Sequence, residues 1–350
     1  MNNTQTAEEQ DDSTELFEHH RFMVDPGQTS MRIDLFLTDR IGNSVSRSRV
    51  QTAAEAGCIL VNGVPVKASY KIKPLDNIAV MLPTPPHELE IAPEDIPIDI
   101  VYEDDDLLVV NKPAGMVVHP AHGNYTGTLV NALMHHLRHL PLFSSGQMRP
   151  GLVHRIDKNT SGLLVVGKHE QATNALAKQF FERTTSRRYV ALAWGDMEAD
   201  EGTITGNIDR CPNDRTRRRV CPPEQGKHAI THWRMIERFG LVTLVECRLE
   251  TGRTHQIRVH FEHIRHPLFN DEVYGGNRIV KGNPTTKYRQ FIDNCFALCP
   301  RQALHARTLG FAHPTTGQPM HFEAELPHDM ASAISKWRTY TRYAPPPLDD

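Results

Sequence analysis

The stretch HRIDKNTSGLLVV, residues 154–166, indicates a turn that leads directly into a buried strand. The residues from Asp157 to Gly162 favour turns, and the four apolar residues that follow are typical of a strand in a sheet core. Asp157 is therefore expected on a loop at a sheet edge, where catalytic groups often lie and ordinary turn residues lie more often still. Arg155 and Lys158 would keep a carboxylate between them ionised. This stretch alone leaves a structural role open beside a functional one.

The composition is that of a globular protein with a sizeable core. The chain has 350 residues, of which 39% are hydrophobic and 23% charged, and this length predicts two domains. No run approaches the roughly 18 apolar residues of a membrane span, and the polar, acidic N-terminus does not resemble a signal peptide. Six scattered cysteines favour reduced thiols over a disulfide framework. These features predict a cytoplasmic protein without a membrane partner.

The net charge of −3 conceals an uneven distribution. Residues 1–30 carry seven acidic residues against one arginine, so the rest of the chain has 38 Lys and Arg against 35 Asp and Glu. Six of these basic residues lie between Arg210 and Lys227, among them Arg217 and Arg218. A basic patch can bind phosphate even on a nearly neutral protein. A solvated hairpin tip would carry the same charges.

Changes in hydrophobic pattern divide the chain into five segments. We predict a disordered acidic tail at 1–30, a small domain at 31–82, a proline-rich linker at 83–97, a large domain at 98–342 and a disordered tail at 343–350.

Both domains are predicted to mix helices and strands. In the small domain, two helical stretches precede strands joined by Asn62-Gly63, a strong hairpin signal. In the large domain, strand-like runs alternate with helical ones, and many connections are too short for a crossover helix. The predicted fold class is therefore α+β, with a mixed and largely antiparallel sheet, plus a small N-terminal α/β domain.

Several familiar motifs fail on inspection. GLLVVGKH, residues 162–169, has the spacing of a phosphate-binding loop, but it lacks the final Ser or Thr and its interior is apolar and strand-like. The spacing of Cys295 and Cys299 does not match the usual zinc pairs, which favours buried thiols. An acidic run at 103–106 could bind a cation but is more typical of a solvated turn.

Five separated stretches occur in an order that resembles one family. They are VYEDDDLLVVNKPAGMVVHP (101–120), GLVHRIDKNTSGLLVVGK (151–168), RRYVALAWG (187–195), LETGRTHQIRVH (249–260) and QALHARTLGFAHPTTG (302–317). Together they resemble the RluA/RluD family of pseudouridine synthases. Three further stretches, RIDLFL (32–37), SRSRVQ (46–51) and VNGVPVKASYKIKPLD (61–76), resemble the αL-type RNA-binding domain shared with small-subunit ribosomal protein four.

This resemblance implies a pseudouridine synthase fold and an isomerase that needs no cofactor and no metal. The reaction breaks the N1–C1′ bond of a uridine in RNA and rejoins the base through C5. By the family pattern, Asp157 is the catalytic carboxylate, Arg155 occupies the position that the flipped uridine vacates, Tyr189 packs on the uracil ring and Arg253 forms a salt bridge with Asp157. Without the resemblance, Tyr189 would be read as a core aromatic and Arg253 as a surface ion pair.

The partner implied is RNA, most specifically 23S ribosomal RNA of the large subunit or its precursor, bound by a monomer. The candidates for phosphate contacts are the basic residues Arg47, Arg49, Lys67, Lys71, Arg217 and Arg218. Two alternatives stay open: a tRNA pseudouridine synthase, and a non-catalytic RNA-binding ribosome assembly factor. A hydrolase with paired carboxylates ranks third, because no second acid occupies a comparable motif.

Two stretches depart from the family pattern. Phe269 and Asn270 alter the loop HPLFNDEVYGG (266–276), and the insert at 281–300 has no counterpart that we can place.

Overall fold

The computed structural model describes residues 17–41, 45–82, 91–120, 124–144 and 150–343. Contacts divide the chain into two compact units with a boundary between Ile91 and Ala92, inside the predicted linker. Within the described ranges, no helix is both long enough and apolar enough to cross a membrane. The predicted tail at residues 1–16, linker residues 83–90 and the tail from residue 344 onward lie outside the described residues.

The first unit is a four-stranded antiparallel sheet with two helices. Its elements are β1 (Phe17–Met23), α1 (Ile33–Ile41), α2 (Arg47–Glu55), β2 (Ile59–Val61), β3 (Val64–Pro65) and β4 (Asn77–Leu82), with strand order β1-β4-β2-β3. Asn62 and Gly63 both have positive φ, at 52° and 83°, which confirms the predicted hairpin turn. Ile33, Phe36 and Leu37 of α1 are buried in the core of this unit.

Strand β1 contradicts the prediction that residues 17–30 are disordered. It pairs with β4 from Phe17 opposite Leu82 to Met23 opposite Asn77. The next residue, Val24, is fully buried, and the ring of Phe22 lies edge-on to that of Phe36 at 6.2 Å. The strand is stabilised by backbone hydrogen bonds to a partner that is distant in sequence, which local composition cannot reveal.

The second unit contains the remaining ten strands and six helices of the described chain. The strands are β5 (Ile100–Glu103), β6 (Leu107–Lys112), β7 (Ser161–Gly167), β8 (Ser186–Trp194), β9 (Glu201–Cys211), β10 (Asp214–Cys221), β11 (Lys227–Arg238), β12 (Val242–Leu249), β13 (Leu304–Ala312) and β14 (Pro319–Glu323). The helices are α3 (Leu129–His136), α4 (Pro141–Ser144), α5 (Glu170–Glu182), α6 (Gln256–His263), α7 (Thr286–Leu298) and α8 (His328–Tyr343).

All ten strands belong to one sheet of order β10-β9-β11-β12-β8-β13-β7-β6-β5, with β14 paired to β13. The pairs are antiparallel except for a short parallel contact of β7 with β13. The prediction of a mixed, largely antiparallel sheet is confirmed. Every residue of β7 is buried, as its apolar sequence predicts. The turn that carries Asp157 therefore leads into β7, a buried strand between β13 and β6.

The two departures from the family pattern meet in space. The ring of Phe269 is fully buried and lies 4.8 Å from that of Phe296 in α7, the helix formed by the insert. Asn270 has a positive φ of 57° and donates from Nδ2 to the carbonyls of Phe296 and Cys299. The altered loop thus anchors the end of α7.

The edges of the second unit differ from the predicted boundaries. Asn131 in α3 donates from Nδ2 to the Ala92 carbonyl at 2.8 Å, and the Glu94 carboxylate accepts the N–H of Gly127 at 3.1 Å. The second unit therefore begins at Ala92 rather than at residue 98. Helix α8 continues to Tyr343, one residue into the predicted tail.

Candidate active site

Asp157 lies in a cleft of about 510 Å³ at the edge of the large sheet. The cleft is bounded by the loop before β7, the end of α5, the start of β8 and the loop from β12 into α6. The Asp157 side chain is 17% exposed, so it is shielded but reachable from the cleft. Five arginines and two acids line the cleft, namely Arg155, Arg183, Arg187, Arg253, Arg258, Asp157 and Glu250. The walls are thus cationic, which suits an anionic ligand.

Arg258 of α6 joins Asp157 to a second, deeper carboxylate. Its Nη1 donates to Asp157 Oδ2 at 3.2 Å, while Nε and Nη2 donate to the two oxygens of Asp271 at 2.7 and 2.9 Å. Burial by itself would lower the pKa of Arg258, but its hydrogen bonds and charge interactions with the two acids raise it. The bidentate pair with Asp271 fixes the guanidinium plane, and Nη1 is thereby directed at Asp157.

The predicted salt bridge between Arg253 and Asp157 is wrong. Arg253 donates from Nε to the His228 carbonyl at 3.1 Å, and its backbone N–H binds the side chain of Gln256. Among the described residues, the acid–base partners of Asp157 are Arg258 at 3.2 Å and His255 at 3.9 Å. Both arginines belong to the TGRTHQIRVH stretch, but α6 starts between them and turns the second one inward.

His255 connects Asp157 to Tyr274 of the altered loop. Tyr274 Oη accepts the backbone N–H of Arg218 at 2.9 Å, so its own proton is available for His255 Nδ1, also at 2.9 Å. This arrangement leaves the proton of His255 on Nε2, which faces Asp157 Oδ1 at 3.9 Å. Burial lowers the pKa of His255, which favours this neutral form.

Tyr189 and Arg155 both line the cleft with Asp157, as their predicted roles require. Tyr189 lies in β8 and is 8% exposed, and burial raises the pKa of its phenol. Arg155 precedes Asp157 by two residues and is exposed. The cleft therefore has the ring of Tyr189 in its wall and the exposed side chain of Arg155 at its surface.

The buried side chain of Lys112, which is 1% exposed, holds the loop that carries Asp157. Its ammonium donates to the carbonyls of Pro113, Met116 and Lys158 at 2.7, 2.8 and 3.1 Å. Burial lowers the pKa of Lys112 to about 7, with the charge of Arg301 acting in the same direction. Lys112 thus ties the loop after β6 to the residue that follows Asp157.

On the other side of the loop, His154 acts as a structural acceptor. Its Nε2 accepts the N–H of Val165 in β7 at 3.0 Å, and its ring stacks on Phe180 at 4.4 Å. Burial lowers the pKa of His154 to about 3, so the ring is neutral and free to accept that bond. The histidine of the HRID stretch is therefore used for packing.

The predicted phosphate-binding residues fall into two groups. In the first unit, Arg49, Lys67 and Lys71 are exposed, whereas Arg47 donates from Nε to the buried carboxylate of Asp34 and therefore also stabilises the fold. In β10 of the second unit, Arg217 and Arg218 are both half-buried. The guanidinium of Arg217 lies 5.4 Å from the Tyr274 ring centre.

One cluster outside the cleft has the composition of a metal site. Asp104, Asp106 and His313 bring their ligand atoms within 4.8 Å of one another. His313 Nδ1, however, accepts the N–H groups of Thr315 and Thr316, so its proton is on Nε2 and is donated to Asp104 at 3.0 Å. This proton occupies the position that a metal would need. The cluster is a hydrogen-bonded network, in keeping with its prediction as a turn.

Four residues of the site were missed by sequence reasoning: Lys112, His255, Arg258 and Tyr274. Each lies in a stretch that had been recognised, and none stands out there because their neighbours are equally polar or aromatic. A signal was available for Arg258, since it stands between the apolar residues Ile257 and Val259, and residues 256–261 are all buried in the structure. Buried arginines need carboxylate partners.

The second unit is an α+β fold with a cationic cleft, and comparisons with known proteins identify the family to which the chain belongs. The sequence profile described as RNA pseudouridylate synthase matches residues 106–263, and the S4 domain profile matches residues 31–78. A protein of Chlorobaculum parvum named "Uncharacterized RNA pseudouridine synthase" is 49% identical over 89% of this chain and 95% of its own length. "Ribosomal large subunit pseudouridine synthase D" of Zymomonas mobilis is 44% identical over 85% and 91%.

Solved structures agree at the level of the fold. "Human RNA Pseudouridylate Synthase Domain Containing 4" has a TM-score of 0.54 at 21% identity and covers 69% of this chain and 93% of its own. The chain therefore belongs to the RNA pseudouridine synthase family, with an S4 domain at its N-terminus. It is an isomerase that converts uridine to pseudouridine in RNA.

Proposed function

We propose that this enzyme modifies uridines of large-subunit ribosomal RNA and that Asp157 is its catalytic carboxylate. One observation carries the catalytic assignment: Asp157 lies in a cationic cleft and accepts a hydrogen bond from Nη1 of Arg258, whose Nε and Nη2 donate to Asp271. Among the described residues, Arg258 is the side chain that donates a hydrogen bond to the Asp157 carboxylate, so most of the acid's acceptor capacity stays open towards the cleft.

An ionised carboxylate is what the isomerisation requires. The N1–C1′ bond breaks, the uracil turns and a C5–C1′ bond forms, after which the proton on C5 leaves. Asp157 can begin this sequence by attack on C1′ or by removal of a ribose proton, and both routes need the charged form. In this proposal Arg258, and not Arg253, is the residue that holds Asp157 in place.

The uridine has to leave its helix to reach Asp157. Arg155 is proposed to occupy the gap, because its guanidinium is exposed two residues before the acid and a planar cation can stack on bases and meet phosphate. Tyr189 is proposed to pack against the flipped uracil from the cleft wall. Since burial raises the pKa of its phenol, Tyr189 acts as a neutral ring surface at physiological pH.

The target is proposed from the relatives. Those named ribosomal large subunit pseudouridine synthase D are 40–44% identical to this chain over 84–90% of its length. The exposed Arg49, Lys67 and Lys71 of the S4 unit and the Arg217–Arg218 pair of β10 would supply phosphate contacts. We also propose that the enzyme acts as a monomer in the cytoplasm. Light scattering of the purified protein tests its oligomeric state.

The decisive experiment maps pseudouridines in ribosomal and transfer RNA from cells with and without the gene. We expect specific sites in 23S RNA to disappear and to return with the wild-type gene but not with Asp157→Asn. Loss confined to tRNA would support the tRNA alternative. Unchanged maps combined with defective subunit assembly would support a non-catalytic assembly factor.

A further inference from the structure

The most exposed large apolar side chain of the described chain, Phe181, stands at the edge of the catalytic cleft. It is 87% exposed in the last turn of α5. The buried stripe of this helix runs through Ala172 and Leu176 and continues, one turn later, to Phe180. Phe180 stacks on His154 and lies 5.4 Å from the guanidinium of Arg187. Packing accounts for Phe180, but it gives no reason for a phenyl group at Phe181.

The surroundings of Phe181 indicate what could cover it. Phe181 lines the same cleft as Asp157, together with Arg155, Arg183 and Arg187. Arg183 ends α5 in a left-handed conformation, with φ of 60°, and its N–H is bound by the Gln179 carbonyl. An apolar ring among arginines is complementary to a nucleotide, whose base stacks on aromatic rings while its phosphate binds cations.

We propose that Phe181 is a stacking platform for an unpaired RNA base that flanks the target uridine. The proposal rests on the proposed role of the cleft as the site of catalysis. When the uridine is extruded, a neighbouring base loses a stacking partner, and an aromatic surface at the cleft edge can replace it. Because every base has a π face, such a platform provides affinity with little sequence preference.

The first test compares three variants on a short RNA stem-loop. Phe181→Ala is expected to raise Kd and KM by about 5- to 150-fold while kcat at saturating RNA stays unchanged. Phe181→Trp should bind at least as tightly as wild type. Ile236→Ala, which also truncates an exposed apolar side chain but lies outside the cleft lining, should behave as wild type. Equal Kd for wild type and Phe181→Ala overturns the proposal.

The second test removes bases from the RNA instead. Abasic sites are placed one at a time on either side of the target. At one position, wild type should lose affinity while Phe181→Ala loses no more, because the partner of the ring is already absent. If no abasic site equalises the two proteins, the stacking proposal is overturned. If the wild-type protein modifies no RNA at all, the proposed function fails instead. Failure of the stacking proposal is thus distinguishable from failure of the proposed function.

A second, independent feature links the basic strand β10 to the catalytic carboxylate. The ring of Tyr274 lies 5.4 Å from the guanidinium of Arg217 and 5.0 Å from that of Arg258. Its hydroxyl is hydrogen-bonded to the backbone of β10 on one side and to His255 on the other. Tyr274 therefore contacts both the strand that we assign to RNA binding and the arginine that holds Asp157.

We propose that Tyr274 and His255 are positioning residues that set Asp157 relative to β10. In this arrangement two hydrogen bonds of 2.9 Å connect β10 to His255 through the Tyr274 hydroxyl, and the carboxylate is reached by the 3.9 Å approach of His255 to Asp157 and by the Tyr274 ring against Arg258. This proposal also rests on the proposed roles of Asp157 in catalysis and of β10 in RNA binding. A positioning role predicts an effect on kcat rather than on KM, since neither side chain needs to touch phosphate.

Tyr274→Phe tests this link because it keeps the ring and removes only the hydroxyl. We expect kcat to fall by about 3- to 10-fold, as for one hydrogen bond, with KM unchanged. His255→Asn, which tolerates the left-handed backbone at this position, should give a similar loss. The matched control is Tyr288→Phe, which removes a buried hydroxyl that donates to the Lys281 carbonyl beside α7.

A double-mutant cycle separates positioning from general destabilisation. Tyr274→Phe combined with His255→Asn should lower kcat no further than either change alone, because both break the same chain of bonds. Fully additive losses, or a kcat equal to wild type in Tyr274→Phe, overturn the proposal. An equal loss in the Tyr288→Phe control would assign the effect to stability and would overturn it as well.

Discussion

Two carboxylates, Asp34 in the first unit and Asp157 in the second, are both held by arginine, yet their surroundings differ. Asp34 is fully buried and accepts hydrogen bonds from Arg32, Arg47 and Gln51 at 2.9–3.0 Å. Asp157 is 17% exposed, and from the described part of the chain its carboxylate accepts one bond, at 3.2 Å, from Arg258. A carboxylate whose acceptor sites are all occupied stabilises a fold, while one with open sites towards a cleft is available for chemistry.

Asp271 in the second unit is, like Asp34, a buried carboxylate whose acceptor sites are occupied. It shares Arg258 with Asp157 but is fully buried, binds the guanidinium through both oxygens and also accepts the N–H groups of Val273 and Tyr274. Arg258 thus binds two different acids. The acceptor sites of Asp271 are occupied by hydrogen bonds, whereas most of those of Asp157 are open to the cleft. Substitution of the acids and of the arginine can separate these two roles.

The largest effect is expected from Asp157→Asn. The amide keeps the shape of the side chain but is neither a nucleophile nor a base, so kcat should fall by at least about 10³-fold. RNA binding should persist, because phosphate contacts do not involve this group. Tritium release from RNA labelled at uridine C5, measured beside a binding titration, checks both. The exposed Asp105→Asn is the control, and a loss of kcat in Asp157→Asn of less than about tenfold would move the chemistry elsewhere.

Changing Arg258 should affect both stability and activity. Arg258→Met leaves Asp271 buried without its partner, which should lower the free energy of unfolding by about 3–5 kcal/mol. Urea unfolding of the two purified proteins measures this difference. The matched variant Arg253→Met should cost less than about 1 kcal/mol, since Arg253 makes a partly exposed bond to a carbonyl. The reverse order would restore Arg253 as the residue that holds Asp157.

Asp34→Ala should affect the first unit alone. It removes the common acceptor of two arginines and a glutamine, and we expect the unfolding free energy of this unit to fall by about 1–3 kcal/mol. The kcat on a short RNA should be unchanged, because catalysis depends on the second unit. Hydrogen exchange resolved by peptide measures local stability, and loss of kcat at saturating RNA would contradict the separation of roles.

The same carboxylate predicts a dependence of stability on pH. Hydrogen bonds from Arg32 are the largest influence that lowers the pKa of Asp34 below its ordinary value of 3.8, and bonds from Gln51 and Arg47 act in the same direction. A lowered pKa in the folded state means that Asp34 stabilises the fold above pH about 4 and that this contribution is lost as the pH falls further. Asp34→Asn should therefore show a flatter decline in stability between about pH 5 and pH 2, in melting curves recorded for both proteins.

The smallest effect is expected from surface charge on the first unit. Lys67→Gln combined with Lys71→Gln should weaken RNA binding and reduce the salt dependence of log K by about 0.7 for each phosphate that the lysines no longer neutralise. The kcat should not change. Titrations at three or more salt concentrations give the slope, and an unchanged slope would remove these lysines from the RNA interface.

Much of the architecture could be predicted because its signals are local. The stretch at 154–166 was correctly assigned to a turn that leads into a buried strand, and Asn62-Gly63 was correctly assigned to a hairpin. Strand β1 was missed, since four consecutive polar or charged residues (18–21) give it no alternating apolar pattern and the strand depends on pairing with β4. Helix α6 was missed too, because polar and apolar residues are mixed in its sequence and residues 256–261 are all buried, which leaves no amphipathic pattern there.

By itself, the sequence determined that Asp157 lies on a turn before a buried strand, and its resemblance to a family singled out this residue as the proposed catalytic carboxylate. That was possible because turn and strand preferences are set by neighbouring residues. Only the tertiary structure decided that Arg258 and not Arg253 binds Asp157, a contact between residues 101 positions apart. The two arginines lie close together in sequence, and the left-handed start of α6 at His255 directs the second towards the core. A contact of this kind depends on where a helix packs, which no local pattern encodes.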